Sequence, residues 1–207
     1  QRLAHKAFQH VALYDTIIAQ YLRGQDGDLG QELTLGYSRL YDLRYGENPH
    51  QQAAFYGDSS SSGIAGAKQL HGKELSFNNY LDLESAWNLC QEFQGPACAI
   101  IKHTNPCGTA LGSDLAEAYQ KALACDPVSA FGSIIAVNQE VNEKTAELMS
   151  QLFVECVIAP AYHSGALAVF SKKKNLRVME MGAEVPEEQG TREELDFKKI
   201  SGGFLVQ

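Results

Sequence analysis

Ala97-Cys98-Ala99-Ile100-Ile101-Lys102-His103-Thr104-Asn105-Pro106-Cys107-Gly108 is the stretch on which the reading of this chain turns. Its first five residues are all apolar, as in a strand buried on both faces. The run then delivers a lysine and a histidine to its carboxyl end. A turn-prone Thr-Asn-Pro-Cys-Gly follows and is expected to lead toward a helix. Downstream, apolar runs at 134–137, 157–159 and 178–181 alternate with helical stretches near 114–125, 143–153 and 163–173. Asp114 with Glu117 reads as a capping box for the first of these helices, and Asn142 as the cap of the second. Near-continuous apolar strands separated by helices predict an α/β sandwich with a mostly parallel sheet covered on both faces.

Upstream of residue 96 the texture differs. Residues 2–22 place Leu3, Ala7, Val11, Tyr14, Ile18 and Tyr21 at three- and four-residue steps, which predicts an amphipathic helix. Residues 24–30 (GQDGDLG) read as a glycine-punctuated linker and residues 57–63 (GDSSSSG) as a surface loop. Residues 80–93 alternate acidic and apolar positions at helical spacing, with Trp87 on the apolar side. The chain starts helical without a methionine and stops on the β-prone Phe204-Leu205-Val206-Gln207, so it reads as a piece of a longer polypeptide.

Composition narrows the function classes. Of 207 residues 44% are hydrophobic and 20% charged, a globular balance, and no apolar run approaches the ~18 residues of a membrane span. Seventeen basic against 25 acidic residues leave a net charge of −8, which argues against nucleic acid or an anionic membrane as partner. A phosphorylated small molecule stays open, because a local basic cluster can work inside an acidic protein. Five cysteines form no Cys-x-x-Cys pair and several sit in apolar runs, as expected of free thiols in a reducing cytosol.

Two clusters could carry chemistry. Beyond the end of a buried strand, an imidazole with a reference pKa of ~6.5 can accept a proton near neutrality, and the adjacent ammonium can face an oxyanion or a phosphate. The plain alternative is that Lys102 is solvated and His103 caps a turn. In residues 44–51 (RYGENPHQ) an arginine fork can grip a phosphate and a tyrosine ring can stack on a base. The alternative there is a surface turn around Gly46 and Asn48-Pro49. A zinc deaminase needs His-x-Glu and Pro-Cys-x-x-Cys; Pro106-Cys107 is followed by Gly-Thr-Ala, and neither His50 nor His103 has a glutamate two residues on. The run of lysines at 172–174 reads as a solvated helix end.

Five runs together resemble a known family: 44–51 (RYGENPHQ), 73–87 (KELSFNNYLDLESAW), 101–108 (IKHTNPCG), 129–138 (SAFGSIIAVN) and 157–162 (VIAPAY). They are similar to the bifunctional purine-biosynthesis enzymes that combine aminoimidazole carboxamide ribonucleotide (AICAR) transformylase with inosine monophosphate (IMP) cyclohydrolase. The resemblance implies a cytidine-deaminase-like αβα sandwich without zinc. It implies that residues 1–23 close a cyclohydrolase domain, 24–32 link, and 33–207 form the first half of the transformylase domain. It casts Lys102 as the group that stabilises the transition state and His103 as the proton acceptor. Arg44, Tyr45, Gly132, Glu155 and Asn79 fall at nucleotide-binding positions, Glu155 where some members carry aspartate. The implied cosubstrate is 10-formyltetrahydrofolate, the implied assembly a cytoplasmic homodimer with its sites at the interface, and no metal is required. A non-catalytic nucleotide-binding half-domain is the rival reading. In the linear pattern Glu155 precedes its strand, whereas Lys102 and His103 follow theirs.

Overall fold

The computed structural model describes residues 1–23, 29–57, 63–182 and 195–207. They fall into two compact units, residues 1–36 with 185–207 and residues 37–184. In the first, helix α1 (Arg2–Arg23) forms as its periodicity predicts. Leu3, Phe8, Tyr14, Tyr21 and Leu22 on it are all well exposed. Most of the expected linker lies outside the described residues, as does most of the expected loop at 57–63.

The second unit opens with the hairpin β1 (Ser38–Leu43) and β2 (Ala53–Gly57), followed by α2 (Gly63–Gly66), β3 (Lys68–His71) and α3 (Phe77–Gln91). Then come β4 (Ala97–Lys102), β5 (Asn105–Leu111), α4 (Leu115–Cys125), β6 (Ser133–Val137) and α5 (Glu143–Met149). The unit closes with β7 (Val154–Ala159), α6 (Ser164–Phe170) and β8 (Arg177–Glu180). The first unit ends on a hairpin of its own, β9 (Phe197–Ile200) with β10 (Gly203–Val206).

Six strands form one sheet in the order β3-β8-β7-β6-β4-β5. Side chains of each central strand alternate between two cores, as the period of two requires. Ile100, Ile135, Val157 and Val178 pack on one face with Tyr119, Met149 and Phe170 of α4, α5 and α6. Ala99, Ile101, Ile134, Ile158 and Met179 pack on the other with Leu83, Ala86 and Cys90 of α3. Helices thus cover both faces, and burial pushes the Cys90 thiol up to about 12.

The sheet is mixed, however. β6, β7 and β8 are mutually parallel, whereas β4 is antiparallel to both β5 and β6, and β3 is antiparallel to β8. The cause lies in the opening stretch: residues 105–108 do not lead into a helix but begin β5. That extra strand returns the chain to the end where β4 started, so α4 carries it back and β6 enters from the end where β4 finished. Pro106 is tolerated because β5 is an edge strand, and it pairs with Ile101 beside a register shift. Gly108 lets α4 lie close: a Cβ there would stand 2.0 Å from the Ala122 carbonyl oxygen.

Local signals shift some boundaries. α3 starts three residues before the expected 80 because Ser76 caps it. The helices expected to run to 153 and 173 stop at Met149 and Phe170. Asp114 does cap α4 by accepting the Glu117 N–H, but the Glu117 carboxylate accepts from the N–H and hydroxyl of Ser113 instead of closing a reciprocal box. Asn142 caps α5 as read.

Candidate active site

β4 ends at the sheet edge where β6, β7 and β8 begin. Ile101 is level with Ile134, Ser133 with Val154, and Cys156 with Arg177. Lys102, Gly132, Glu155 and Arg177 therefore gather at one end of the sheet. This resolves the apparent conflict over Glu155: a residue at the start of β7 and residues at the end of β4 share an edge because β4 runs against β6, to which β7 is parallel.

His103 and Thr104 are the whole connection between β4 and β5. Both take positive φ, 53° and 59°, as a type I′ hairpin turn requires. Such turns favour Asn-Gly; a histidine followed by a β-branched threonine is strained, by about 1–3 kcal/mol per residue. The Asp82 carboxylate of α3 holds this turn from outside. The Thr104 N–H donates to Asp82 Oδ1 at 2.7 Å and the His103 N–H to Oδ2 at 3.2 Å. Hydrogen bonds to a charged group contribute about 1.5–3 kcal/mol, less where water reaches them, which is the right size to offset the strain. The Thr104 hydroxyl and the Asn105 Nδ2 both donate to the His103 carbonyl at 2.7 Å. The imidazole itself is exposed.

Lys102 is half-buried, and its Nζ donates to the Phe131 carbonyl at 2.8 Å. The next residue, Gly132, has φ +77° and donates its N–H to the Phe153 carbonyl at 2.8 Å. A Cβ there would meet only the Phe153 ring at 3.7 Å, so the demand for glycine is conformational. Phe131 and Phe153 lie with ring centroids 5.1 Å apart and are 58% and 48% exposed, an open aromatic pair beside the lysine. Glu155 is paired with Arg177, whose guanidinium is buried and also donates Nε and Nη2 to the Glu74 carbonyl at 3.2 Å.

The 44–51 cluster reaches the same region through α3. Phe55 stacks on Tyr80 at 4.5 Å and on Tyr41 at 6.5 Å, docking the β1–β2 hairpin on that helix. Burial, and then the neighbouring Tyr41, push the Tyr80 phenol up to about 12. Asn78 Nδ2 donates to the Glu47 carbonyl at 3.3 Å. The loop closes on itself through the Gly46 N–H to the Gln51 carbonyl and the Asn48 N–H to Gln51 Oε1. Arg44 lies with its Cζ 5.5 Å from the centre of the Tyr45 ring. Gly46, Glu47, Gln51, Gln52, Ala53 and Phe77 line a shallow groove beside it.

Asn79 occupies a structural position. Its Oδ1 accepts from the Ser76 N–H and hydroxyl, each at 3.0 Å, completing the capping box of α3. Any ligand contact by this residue falls to its Nδ2. A second groove, lined by Asn142, Glu143, Lys144, Glu147 and His163, lies beyond the carboxyl ends of β6 and β7, at the opposite end of the sheet. It holds none of the candidate catalytic or nucleotide-binding residues; its Asn142 is the cap of α5. Among the described residues, no group of three or more His, Cys, Asp or Glu is placed to hold a metal ion.

Sequence reasoning missed Asp82, Asn78 and Arg177. The four-residue step from Asn78 to Asp82 marks one face of a helix, but nothing linear says what that face holds.

The model of the AICARFT/IMPCHase bienzyme family matches residues 1–207. The chain belongs to that family. It is 50% identical to a bifunctional purine biosynthesis protein PurH of Acidithiobacillus ferrooxidans and 48% identical to that of Acetivibrio thermocellus, with all of this chain aligned in each case. The PurH of Listeria monocytogenes is 46% identical, again across the whole chain. The chain spans about 40% of the length of these relatives. The family match runs through both compact units, and all five sequence runs that carry the resemblance fall in the second. No helix among the described residues is long and apolar enough to cross a membrane.

Proposed function

We propose that residues 33–207 are the first half of an AICAR transformylase domain and carry the formyl-transfer groups of a bifunctional, cytosolic, homodimeric enzyme. In this reading residues 1–23 close the cyclohydrolase domain, and the second unit is a cytidine-deaminase-type sandwich that works without zinc. The single observation that supports it most is the convergence of Lys102, His103, Gly132 and Glu155 on one sheet edge. The substrate is AICAR, and the formyl donor is 10-formyltetrahydrofolate.

The chemistry is acyl transfer to a weak nucleophile. The exocyclic amine of AICAR attacks the formyl carbon, His103 takes the proton that the amine loses as the new C–N bond forms, and the folate nitrogen gains a proton as its own bond to the formyl carbon breaks. Lys102 faces the developing oxyanion or the departing folate nitrogen; the carbonyl of Phe131 anchors its ammonium next to Gly132. Arg44 holds the nucleotide and Tyr45 orients it, with Glu155, Gly132 and the Asn79 amide as further contacts. Fixing both reactants supplies the effective molarity that a poor nucleophile needs.

The test is formyl transfer by the full-length protein. His103→Ala should lower turnover by ~10²-fold or more with little change in nucleotide affinity. Lys102→Ala should cost ~2.7–4 kcal/mol in the same step. Cyclohydrolase activity, measured from the formylated nucleotide, should stay within about twofold, since distant sites rarely couple by more than ~0.5 kcal/mol. Wild-type turnover in His103→Ala would defeat the assignment of the base. Loss of both activities in a folded Lys102→Ala variant would defeat the division of the chain.

A further inference from the structure

We infer that Asp82 is a positioning residue for formyl transfer: by accepting the backbone N–H groups of His103 and Thr104 it holds this turn in the left-handed conformation and so sets where the imidazole projects. The inference rests on the reading of His103 as proton acceptor and adds a residue that touches no reacting atom.

Three observations carry it. First, His103 and Thr104 are the only non-glycine residues with positive φ among those described, and they are consecutive. A two-residue hairpin loop needs that conformation at both positions, and neither side chain favours it. Left alone, this sequence would relax toward a wider loop and the imidazole would leave the sheet edge. Second, the carboxylate meets the turn with one oxygen per N–H, at 2.7 and 3.2 Å, so it opposes rotation of the whole His103–Thr104 peptide rather than of one residue. Third, Asp82 comes from the middle of α3, one residue before the fully buried Leu83. The clamp is therefore mounted on a helix fixed by the core, not on another loop.

A carboxylate is suited to this task because both its oxygens accept and neither donates. Asparagine at this position keeps one such acceptor, and alanine keeps none. Because a misplacement of about 1 Å at a reacting group can cost ~10²-fold in rate, the effect of losing the clamp belongs in kcat and not in nucleotide binding.

The experiment uses the full-length protein and formyl transfer at saturating folate. Asp82→Ala should lower kcat by ~10-fold or more, with the KM for nucleotide within about threefold of wild type, and Asp82→Asn should fall between. Adding Thr104→Gly to Asp82→Ala should recover part of the loss, because glycine takes positive φ without a Cβ clash. Recovery is partial since the threonine hydroxyl also bonds the His103 carbonyl. Unchanged kcat in Asp82→Ala, or a loss that Thr104→Gly does not lessen, would overturn the inference. If Asp82→Ala does not fold, Asp82→Asn with and without Thr104→Gly makes the same comparison.

Amide exchange at His103 and Thr104 separates this idea from the function it rests on. Exchange at least ~10-fold faster in the Asp82 variant than in wild type supports the clamp even if His103→Ala proves active, and unchanged exchange overturns it even if His103→Ala is dead.

Discussion

Asn78 and Asp82 stand one turn apart on α3, and each holds a different loop of the candidate site. Asn78 donates to the Glu47 carbonyl in the 44–51 loop, and Asp82 accepts from the turn at His103 and Thr104. Side chains four residues apart lie on the same helix face. One helix face thus sets the spacing between a loop that carries an arginine and a tyrosine and a turn that carries a histidine.

The first expectation concerns the Asn78 end of this ruler. Its bond to Glu47 is exposed and 3.3 Å long, so Asn78→Ala should cost only about 0.5–1.5 kcal/mol of loop anchoring. In steady-state kinetics of the full-length protein, the KM for nucleotide should rise by up to about tenfold while kcat holds. A fall in kcat with KM unchanged would mean that the 44–51 loop does not serve nucleotide binding.

The ion pair at the other side of the site calls for a stability measurement. Arg177 is buried, and its charge is met by Glu155 and by the Glu74 carbonyl. Glu155→Ala removes the carboxylate partner of Arg177 seen among the described residues and should destabilise by ~2 kcal/mol or more, tempered by the partial exposure of Glu155. Glu155→Gln keeps an oxygen acceptor and should lose less. The check is the melting temperature by circular dichroism; equal values for wild type and Glu155→Ala would show that the pair carries no net energy.

Thiol reactivity tests the packing directly. Cys125 is exposed, while Cys90, Cys98 and Cys156 are buried in the two cores, where burial raises the thiol pKa of each. Only the thiolate reacts, so a native alkylation time course followed by peptide mapping should label Cys125 first. The three core thiols should wait for denaturant. Rapid labelling of Cys156 without denaturant would contradict β7 as a central strand.

Much was legible from residues alone. The apolar run ending at Ile101, the caps at Asp114 and Asn142, and the alternation of strands with helices follow from local chemistry that needs no distant partner. The five runs that identify the family are likewise linear, as is the candidacy of Lys102, His103, Arg44 and Tyr45. The strand at 105–111 was not legible, since a proline and a Thr-Asn-Pro-Cys-Gly run normally signal a turn, and only the neighbouring strand β4 recruits them into an edge strand.

What only the tertiary structure decided is direction and convergence. Whether β4 runs with or against β6 depends on the number of strands between them, and that one reversal puts Glu155 and Arg177 at the same edge as Lys102. Likewise, no local rule places a strained His-Thr turn against a carboxylate that precedes its two residues by 21 and 22 positions. Hydrophobic periodicity says which residues are inside and which local structure they adopt. It is indifferent to strand direction, because an apolar strand buries the same surface either way, so the site emerged only once the sheet was assembled.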